Sequence, residues 1–312
     1  MAVENIVLRD AAGSIAEIAP ALGFNCHRFA VEREQKLVEV LWREPGFLSG
    51  NGKPSRSGVP VLFPFPGRLP GQTLTWQGKT YDLGSDDGRG NAIHGFVHTR
   101  PWRVISQSES RLVGEFQASK DDPSLKNRWP ADFRITATYE LEGSRLLMHY
   151  RVENPCDVPL PCGLGTHPYF RVPLGGSSAQ ECHVQLPVTT QWELVEMIPT
   201  GRELPLVNST ELSAGKKFGE LTLDNCFAGL QFSGDWCAAQ VLDSESGRTM
   251  TIRFDRAFRE CVVYTPPHRE AICIEPYTCV PGAAAMPDPA AAGLRILEPG
   301  GFFAANVELE VG

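Results

Sequence analysis

The sequence lacks the features that mark membrane and secreted proteins. No stretch approaches the ~20 consecutive apolar residues that a transmembrane helix needs. The first residues contain neither the basic start nor the apolar run of a secretory signal. We therefore expect a cytoplasmic protein that makes no contact with a membrane.

Basic residues are scarce as well. Aspartate and glutamate number 37 against 29 lysines and arginines, which gives a formal net charge of -8, and no lysine- or arginine-rich run occurs. Proteins that bind nucleic acids cluster basic side chains on one surface, so no nucleic-acid partner is expected. The charge balance is typical of a protein that handles small, uncharged molecules.

Cofactor and metal motifs are missing too. The chain has no glycine-rich phosphate loop, no G-x-S-x-G elbow and no C-x-x-C pair among its nine cysteines. His94 and His98 have the i, i+4 spacing of a helical metal pair, but Gly95 and strand-like neighbours argue against a helix there. We expect no cofactor and no metal.

A cysteine nucleophile remains an open alternative. Cys162 and Cys273 lie close in sequence to His167 and Glu275. An activated thiolate needs an electropositive setting, and the sequence marks none of the nine cysteines in this way. Buried, reduced thiols are the simpler interpretation.

What the sequence does contain is many short strand-like runs. Residues 133–139, 146–152 and 250–254 alternate apolar with polar side chains, the period of strands that bury one face. The 30 glycines and 25 prolines leave little room for long helices. The pattern predicts an all-β protein, a large antiparallel β-sandwich with few short helices.

No composition shift divides the chain, so we expect a single domain over residues 1–312. A turn at Gly143-Ser144 is expected to join two strands as a hairpin. A short helix is expected around 290–297, and residues 281–293 are expected to form a surface loop inside the domain. Residues 303–309 resemble a closing strand.

Titratable residues stand out in three stiff, Gly/Pro-rich segments, which are 58–68 followed by 91–96, then 165–170, and then 272–282. Glu275 follows an apolar run, and partial burial would raise the pKa of its carboxyl group and make it a better base. An exposed glutamate at a strand end is the alternative. His167 precedes a proline that holds its backbone extended, and imidazole is well suited to proton transfer near neutrality.

Other side chains of these segments could bind a ligand. Arg68, in a Pro-Gly-Arg turn, offers a forked set of donors to hydroxyl groups, and His94 precedes a glycine that allows close approach to the backbone. A surface arginine and a structural histidine are the alternatives. Five aromatic residues could stack on a flat ligand, although core packing is commoner for each: Trp76, Trp102, Trp129, Tyr169 and Phe170.

Taken together, these segments resemble the aldose 1-epimerase family, also called galactose mutarotases. The matching pieces are G-V-P-V-L-F-P with the arginine of P-G-R, then N-A-I-H-G-F, T-H-P-Y-F and I-E-P-Y-T-C-V-P-G-A. Their order and spacing cover most of the chain between Gly58 and Gly282. The resemblance implies an antiparallel β-supersandwich and a cofactor-free isomerase acting on a sugar, as a monomer or homodimer.

The resemblance also implies roles for five residues. Glu275 corresponds to the general base that takes the proton from the anomeric hydroxyl, and His167 to the general acid that protonates the ring oxygen. His94 corresponds to a second histidine that orients the sugar. Arg68 and Asp224 correspond to substrate-binding residues. Acid and base on opposite sides of the ring would each contribute about 10²–10⁴-fold to interconversion of α and β anomers.

Two alternatives remain open beside an unphosphorylated aldohexose. Relatives that act on hexose 6-phosphates carry an arginine soon after H-G-F, where this chain has His98. Arg100 or Arg171 could replace that guanidinium, so a hexose-6-phosphate 1-epimerase stays possible. The other alternative is a non-catalytic carbohydrate-binding protein that retains the same cleft.

Overall fold

The computed structural model describes residues 3–50, 52–84 and 86–312. These residues form 28 strands, which in chain order are β1 (Ile6–Arg9), β2 (Ile15–Ala19), β3 (Asn25–Arg33), β4 (Lys36–Glu39), β5 (Val61–Leu62), β6 (Arg68–Leu69), β7 (Thr73–Trp76), β8 (Lys79–Asp82), β9 (Ala92–Ile93), β10 (Arg103–Gln107), β11 (Arg111–Gln117), β12 (Arg134–Glu142), β13 (Arg145–Glu153), β14 (Leu160–Cys162), β15 (Gly165–Thr166), β16 (Tyr169–Arg171), β17 (His183–Gln185), β18 (Thr190–Val195), β19 (Ile198–Pro205), β20 (Lys216–Lys217), β21 (Asp224–Ala228), β22 (Phe232–Ser233), β23 (Trp236–Asp243), β24 (Arg248–Asp255), β25 (Glu260–Tyr264), β26 (Ala271–Tyr277), β27 (Arg295–Leu297) and β28 (Phe302–Val311).

Helices are few and short, as the sequence predicts. The described residues contain two α-helices, α1 (Ala118–Asp121) and α2 (Ser209–Ala214). They also contain eight 3₁₀ turns, Pro20–Leu22, Phe47–Ser49, Pro54–Arg56, Val97–Thr99, Pro123–Asn127, Ala179–Glu181, Phe218–Glu220 and Ala283–Ala285. No helix in the described part of the chain has the length and apolar character to cross a membrane.

Two large sheets dominate the fold. One has ten strands in the order β10-β11-β12-β13-β28-β24-β23-β17-β20, with β22 paired to β23. The other has eight strands in the order β19-β18-β21-β25-β26-β15-β5, with β16 paired to β26. Neighbouring strands in both sheets run antiparallel, as in the pairs β12–β13 and β25–β26. The prediction of an antiparallel all-β sandwich is confirmed.

The alternating sequence pattern explains how the ten-stranded sheet faces the core. In β12, buried and half-buried residues alternate along most of the strand, and in β28 every second residue is buried. Ile135, Tyr139 and Val307 thereby join one continuous apolar cluster that also includes Ile272 and Ile274 of the eight-stranded sheet. Burial of this alternating face is what fixes the strand register.

Of the remaining local predictions, two are confirmed, one is wrong and one holds only in part. The hairpin at Gly143-Ser144 joins β12 to β13, and residues 303–309 lie in β28 between β13 and β24, as predicted. The helix expected around 290–297 is wrong, because turns end at Gly293 with a φ of 85° and β27 then pairs with β14. The loop at 281–293 is only partly a surface loop, since residues 281–284 are buried.

Candidate active site

One strand of the eight-stranded sheet, β26, is buried on both faces. Its Ile272 and Ile274 point into the apolar core. Because side chains alternate along a strand, Cys273, Glu275 and Tyr277 all point to the opposite face. That face is polar and forms the floor of a cleft.

The pairing of β26 brings His167 and Glu275 together. Gly165 in β15 pairs with Tyr277, and Tyr169 in β16 pairs with Cys273, so the antiparallel register sets His167 directly opposite Glu275. The His167 backbone N–H also donates to the Pro60 carbonyl at 3.0 Å, which holds the segment between the two short strands. The His167 Nε2 atom lies 3.3 Å from Glu275 Oε1.

The same register places Asp224 on the cleft floor. Asp224 in β21 pairs with Tyr264 in β25, which in turn pairs with Cys273 in β26. Side chains in such a cross-strand row point to one face of the sheet. Asp224 lies one row away from the His167–Glu275 pair, and its side chain is exposed at the mouth of the cleft.

A second wall of the cleft carries Arg68 and His94. Arg68 in β6 pairs with Ile93 in β9, and His94 follows that strand with a φ of 63°. The His94 N–H donates to the Gly67 carbonyl at 2.8 Å. The ring of His94 stands edge-on to that of His167, with 5.4 Å between the ring centroids.

The two walls enclose a cleft of about 320 Å³. This volume is at the lower end of the ~300–1,000 Å³ range of small-molecule sites. Polar side chains predominate in its lining, which consists of Lys53, Ser55, Arg56, Gly67, Arg68, Asp86, Asp87, Arg89, Ile93, His94, His167, Tyr169, Leu194, Met197, Asp224, Asn225, Cys226, Val262, Tyr264, Glu275, Tyr277 and Pro281. All five residues singled out in the sequence line this one cleft.

Burial shifts the pKa values of the central pair in opposite directions. Glu275 is 1% exposed, and desolvation raises the pKa of its carboxyl group well above the ordinary value, against the effect of a hydrogen bond from the Tyr277 hydroxyl at 2.7 Å. His167 is 6% exposed, and burial lowers its pKa to about 3. Both shifts disfavour charge, as expected for titratable groups removed from water.

The other three residues of the site are also electrostatically coupled. Burial lowers the pKa of His94, and the nearby His167 and Arg68 add to the effect. Partial desolvation at the cleft raises the pKa of Asp224 although the residue is still in contact with solvent, and the Arg68 and Arg89 guanidinium groups act against this shift. The Arg68 guanidinium group therefore lowers the pKa of both His94 and Asp224.

The sequence analysis missed two residues, one that hydrogen-bonds to Glu275 and one that pairs with Arg68. Tyr277 donates to Glu275 from two positions along the same strand, and the i, i+2 spacing in I-E-P-Y was the available signal. Asp87 accepts from Arg68 Nε at 3.0 Å, and its side chain is 1% exposed. Burial alone would raise the pKa of Asp87, but backbone N–H groups and the Arg68 guanidinium lower it.

Several sequence candidates lie outside the cleft. Of the five aromatic residues considered for stacking, only Tyr169 lines it, parallel to the His167 ring with 4.8 Å between centroids. The other four pack in or against the core: Trp76, Trp102, Trp129 and Phe170.

Arg100 and Arg171, the two arginines considered as phosphate ligands, also lie outside the cleft. Arg100 pairs with Asp122 at 2.5 Å and lines a neighbouring cavity together with His98. Arg171 is exposed on another part of the surface.

The cysteine alternative finds no support in the protonation of the thiols. Burial raises the pKa of both Cys162 and Cys273 above the ordinary thiol value, so neither is a ready thiolate. Cys162 lies in the apolar core. Cys273 lies on the cleft face of β26, where it forms the one group of three potential metal ligands found among the described residues, together with His167 and Glu275.

The architecture is that of the galactose mutarotase-like proteins. The chain superposes on a galactose mutarotase-like protein from Clostridium acetobutylicum with a TM-score of 0.86, covering 100% of this chain and 99% of the other. Sequence identity in that comparison is 22%, so the likeness concerns the fold.

Sequence comparison then gives the family. Residues 6–310 match the aldose 1-epimerase family, and the chain belongs to that family. It is 27% identical to the pig galactose mutarotase over 146 residues, which are 45% of this chain and 40% of that protein. It is also 27% identical to the uncharacterized protein YphB of Escherichia coli over 141 residues, 43% of this chain and 45% of YphB. These matches span less than half the length of either relative.

Proposed function

We propose that this chain, acting as a single domain, interconverts the α and β anomers of an aldohexose by acid/base-catalysed ring opening. The observation that supports this best is the pairing of Glu275 with His167, whose tips lie 3.3 Å apart in a polar cleft. The anomeric oxygen O1 and the ring oxygen O5 of a pyranose are both bonded to C1. Two groups side by side on one wall, rather than on opposite sides of the ring, can therefore serve both oxygens.

In the proposed reaction, Glu275 is the base and His167 is the acid. Burial favours the neutral pair, a Glu275 carboxylic acid beside a His167 imidazole, and in the reactive form that one proton has passed across the 3.3 Å contact to His167. The Glu275 carboxylate then takes the proton from O1 while the His167 imidazolium donates one to O5. The C1–O5 bond breaks, O1 becomes the carbonyl oxygen, and rotation about C1–C2 exposes its other face. Reclosure reverses both proton transfers and gives the other anomer.

The neighbouring residues fit supporting roles in this proposal. The Tyr277 hydroxyl stabilises the ionised form of Glu275, because a hydrogen bond to a carboxylate favours its charge. Arg68, held by Asp87, and Asp224 both line the cleft and offer donors and acceptors for the sugar hydroxyls. His94 lies against the His167 ring and limits the orientations that the sugar ring can adopt in the cleft.

The test is polarimetry of freshly dissolved α-galactose and α-glucose with the wild-type protein and His167→Asn. We expect the wild type to accelerate equilibration, and the variant to lose about 10²–10⁴-fold, the contribution of one general acid. A wild type that binds aldohexoses without accelerating their mutarotation would support the non-catalytic carbohydrate-binding alternative. A variant with the wild-type rate would remove His167 from the mechanism.

One observation favours a second candidate substrate, an aldohexose that carries an anionic group. Lys53, Arg56 and Arg89 line the cleft, and none of them forms an ion pair with another described residue. A phosphate would find partners there although Arg100 and Arg171 lie elsewhere. A lower KM for glucose 6-phosphate than for glucose, lost in Arg56→Gln, would support this candidate, and equal KM values would dismiss it.

A further inference from the structure

Three potential metal ligands converge beneath the cleft. The ring nitrogen of His167, the Sγ of Cys273 and a carboxylate oxygen of Glu275 all lie within 4.8 Å of one another. Strand geometry explains the convergence, because Cys273 and Glu275 are i and i+2 on β26 and His167 is opposite Glu275 in the register. Two donors therefore come from β26, and the third comes from the segment between β15 and β16, both of which pair with β26.

The distances are close to those of a tetrahedral zinc site. Zinc lies about 2.0–2.3 Å from nitrogen, oxygen and sulfur ligands, so the edges of its coordination tetrahedron are about 3.3–3.6 Å long. The separation of 3.3 Å between His167 Nε2 and Glu275 Oε1 already matches such an edge. The thiol needs to approach by no more than about 1.5 Å, the difference between 4.8 Å and the shortest edge.

The donor set selects a soft or borderline cation. Thiolate and imidazole favour Zn²⁺, whereas Mg²⁺ and Ca²⁺ prefer sites made of oxygen ligands. A buried cysteine commonly only fills space, and Cys273 does pack against Trp42 and Tyr169. What distinguishes it is the pair of further ligands beside its sulfur, both of which line the cleft and give an ion a route in.

We propose that His167, Cys273 and Glu275 bind Zn²⁺ from the cleft, and that the bound ion blocks the reaction. Coordination displaces the protons of the Cys273 thiol and the Glu275 carboxyl group to solvent, and it occupies the His167 nitrogen and the Glu275 oxygen that the proton transfers require. A fourth coordination position, open to the cleft, would hold water. Binding of the ion stands independently of the proposed epimerase activity, whereas the inhibition rests on it.

The binding test uses the full chain, stripped of metal, and titrates Zn²⁺ against a chromophoric chelator. The variants are Cys273→Ser, Cys273→Ala and the control Cys156→Ser, which removes a half-buried thiol outside the cleft. We expect one tightly bound Zn²⁺ per chain, unchanged in the control and weakened at least 10-fold in both Cys273 variants. Loss of even an outer-sphere hydrogen-bond partner costs about 10–100-fold in metal affinity.

A second readout needs no variant. Co²⁺ added to the wild-type protein should give a thiolate-to-cobalt charge-transfer band, and Mg²⁺ should neither bind nor compete. Absence of that band, or Zn²⁺ affinity equal in wild type and both Cys273 variants, would overturn the proposed site.

The inhibition is measured in the mutarotation assay, each variant relative to its own metal-free rate. Zn²⁺ should inhibit the wild type and the Cys156 control, with reversal by a chelator, at concentrations at least 10-fold below those needed for the Cys273 variants. Zinc that binds but leaves the rate unchanged, or raises it, would overturn the inhibition while leaving the site. A protein inactive without metal but binding Zn²⁺ through Cys273 would instead refute the proposed function alone.

Discussion

The hydrogen bond from Tyr277 to Glu275 gives the most quantitative prediction about the proposed base. The Tyr277 hydroxyl donates to Glu275 Oε2 at 2.7 Å, and both residues are 1% exposed. A hydrogen bond to a charged group contributes about 1.5–3 kcal/mol. At 1.36 kcal/mol per pKa unit, Tyr277→Phe should raise the pKa of Glu275 by about 1–2 units.

The direction of the effect on the rate follows from the role of the residue. A base works in its deprotonated form, so the ascending limb of the pH–rate profile should move to higher pH by about 1–2 units. The limb reports a pKa of the coupled Glu275–His167 pair rather than of one group. At pH values above the limb, the variant should approach the wild-type kcat.

The assay is kcat for mutarotation measured across pH by polarimetry, with Tyr264→Phe as the matched control. Tyr264 lines the same cleft but makes no hydrogen bond to Glu275 in the described structure. Removing the Tyr264 hydroxyl group should leave the pH of the ascending limb unchanged. An unshifted limb in Tyr277→Phe, with kcat lowered equally at every pH, would refute the reasoning.

Three further predictions concern binding and stability. Asp87→Asn should raise the KM for the sugar about tenfold with little change in kcat, because it releases Arg68, and an unchanged KM in steady-state kinetics would contradict this. In urea unfolding, Gly143→Ala should lower the free energy of unfolding by about 1–2 kcal/mol, because of its positive φ alone. Gly95→Ala should lower it by about 1–3 kcal/mol more, because a Cβ at this position meets backbone atoms. Equal losses of stability in the two variants would contradict this difference. Burial raises the pKa of Glu275, so above about pH 4.3 the folded state keeps a proton that the unfolded chain releases. The stability of the fold therefore falls as the pH rises from about 4.3 towards the pKa of Glu275 in the folded state. Glu275→Gln should therefore melt higher than the wild type near pH 8 and equally near pH 4, whereas a lower melting temperature at both would contradict the shift.

The fold could be predicted because the signal for it is local. Alternation in segments such as 133–139 and 146–152 identifies strands with one buried face, and Gly143-Ser144 identifies the turn between them. The helix expected at 290–297 failed because helix propensity, although highest for alanine, is only a weak determinant of local structure. Gly293, in the left-handed region, ends the turns before a helix can form.

The site could be predicted only in part. The spacing of Glu275 and Tyr277 puts both on one face of a strand, which is local information. The apposition of His167 and Glu275 depends on the pairing of distant strands, which no short sequence pattern encodes. Lys53 and Arg56 reach the cleft from an irregular segment and a 3₁₀ turn, where no periodicity indicates direction.

Glu275 as the base is the central element of the proposed reaction, and the rate of exchange between sugar anomers at equilibrium tests this role directly. Magnetisation-transfer NMR measures the rate at which enzyme interconverts α and β anomers, and sugar line broadening in the same samples reports binding. For Glu275→Gln, we predict an exchange rate lower by about 10²–10⁴-fold with sugar binding retained. Exchange at the wild-type rate in that variant would contradict the central claim.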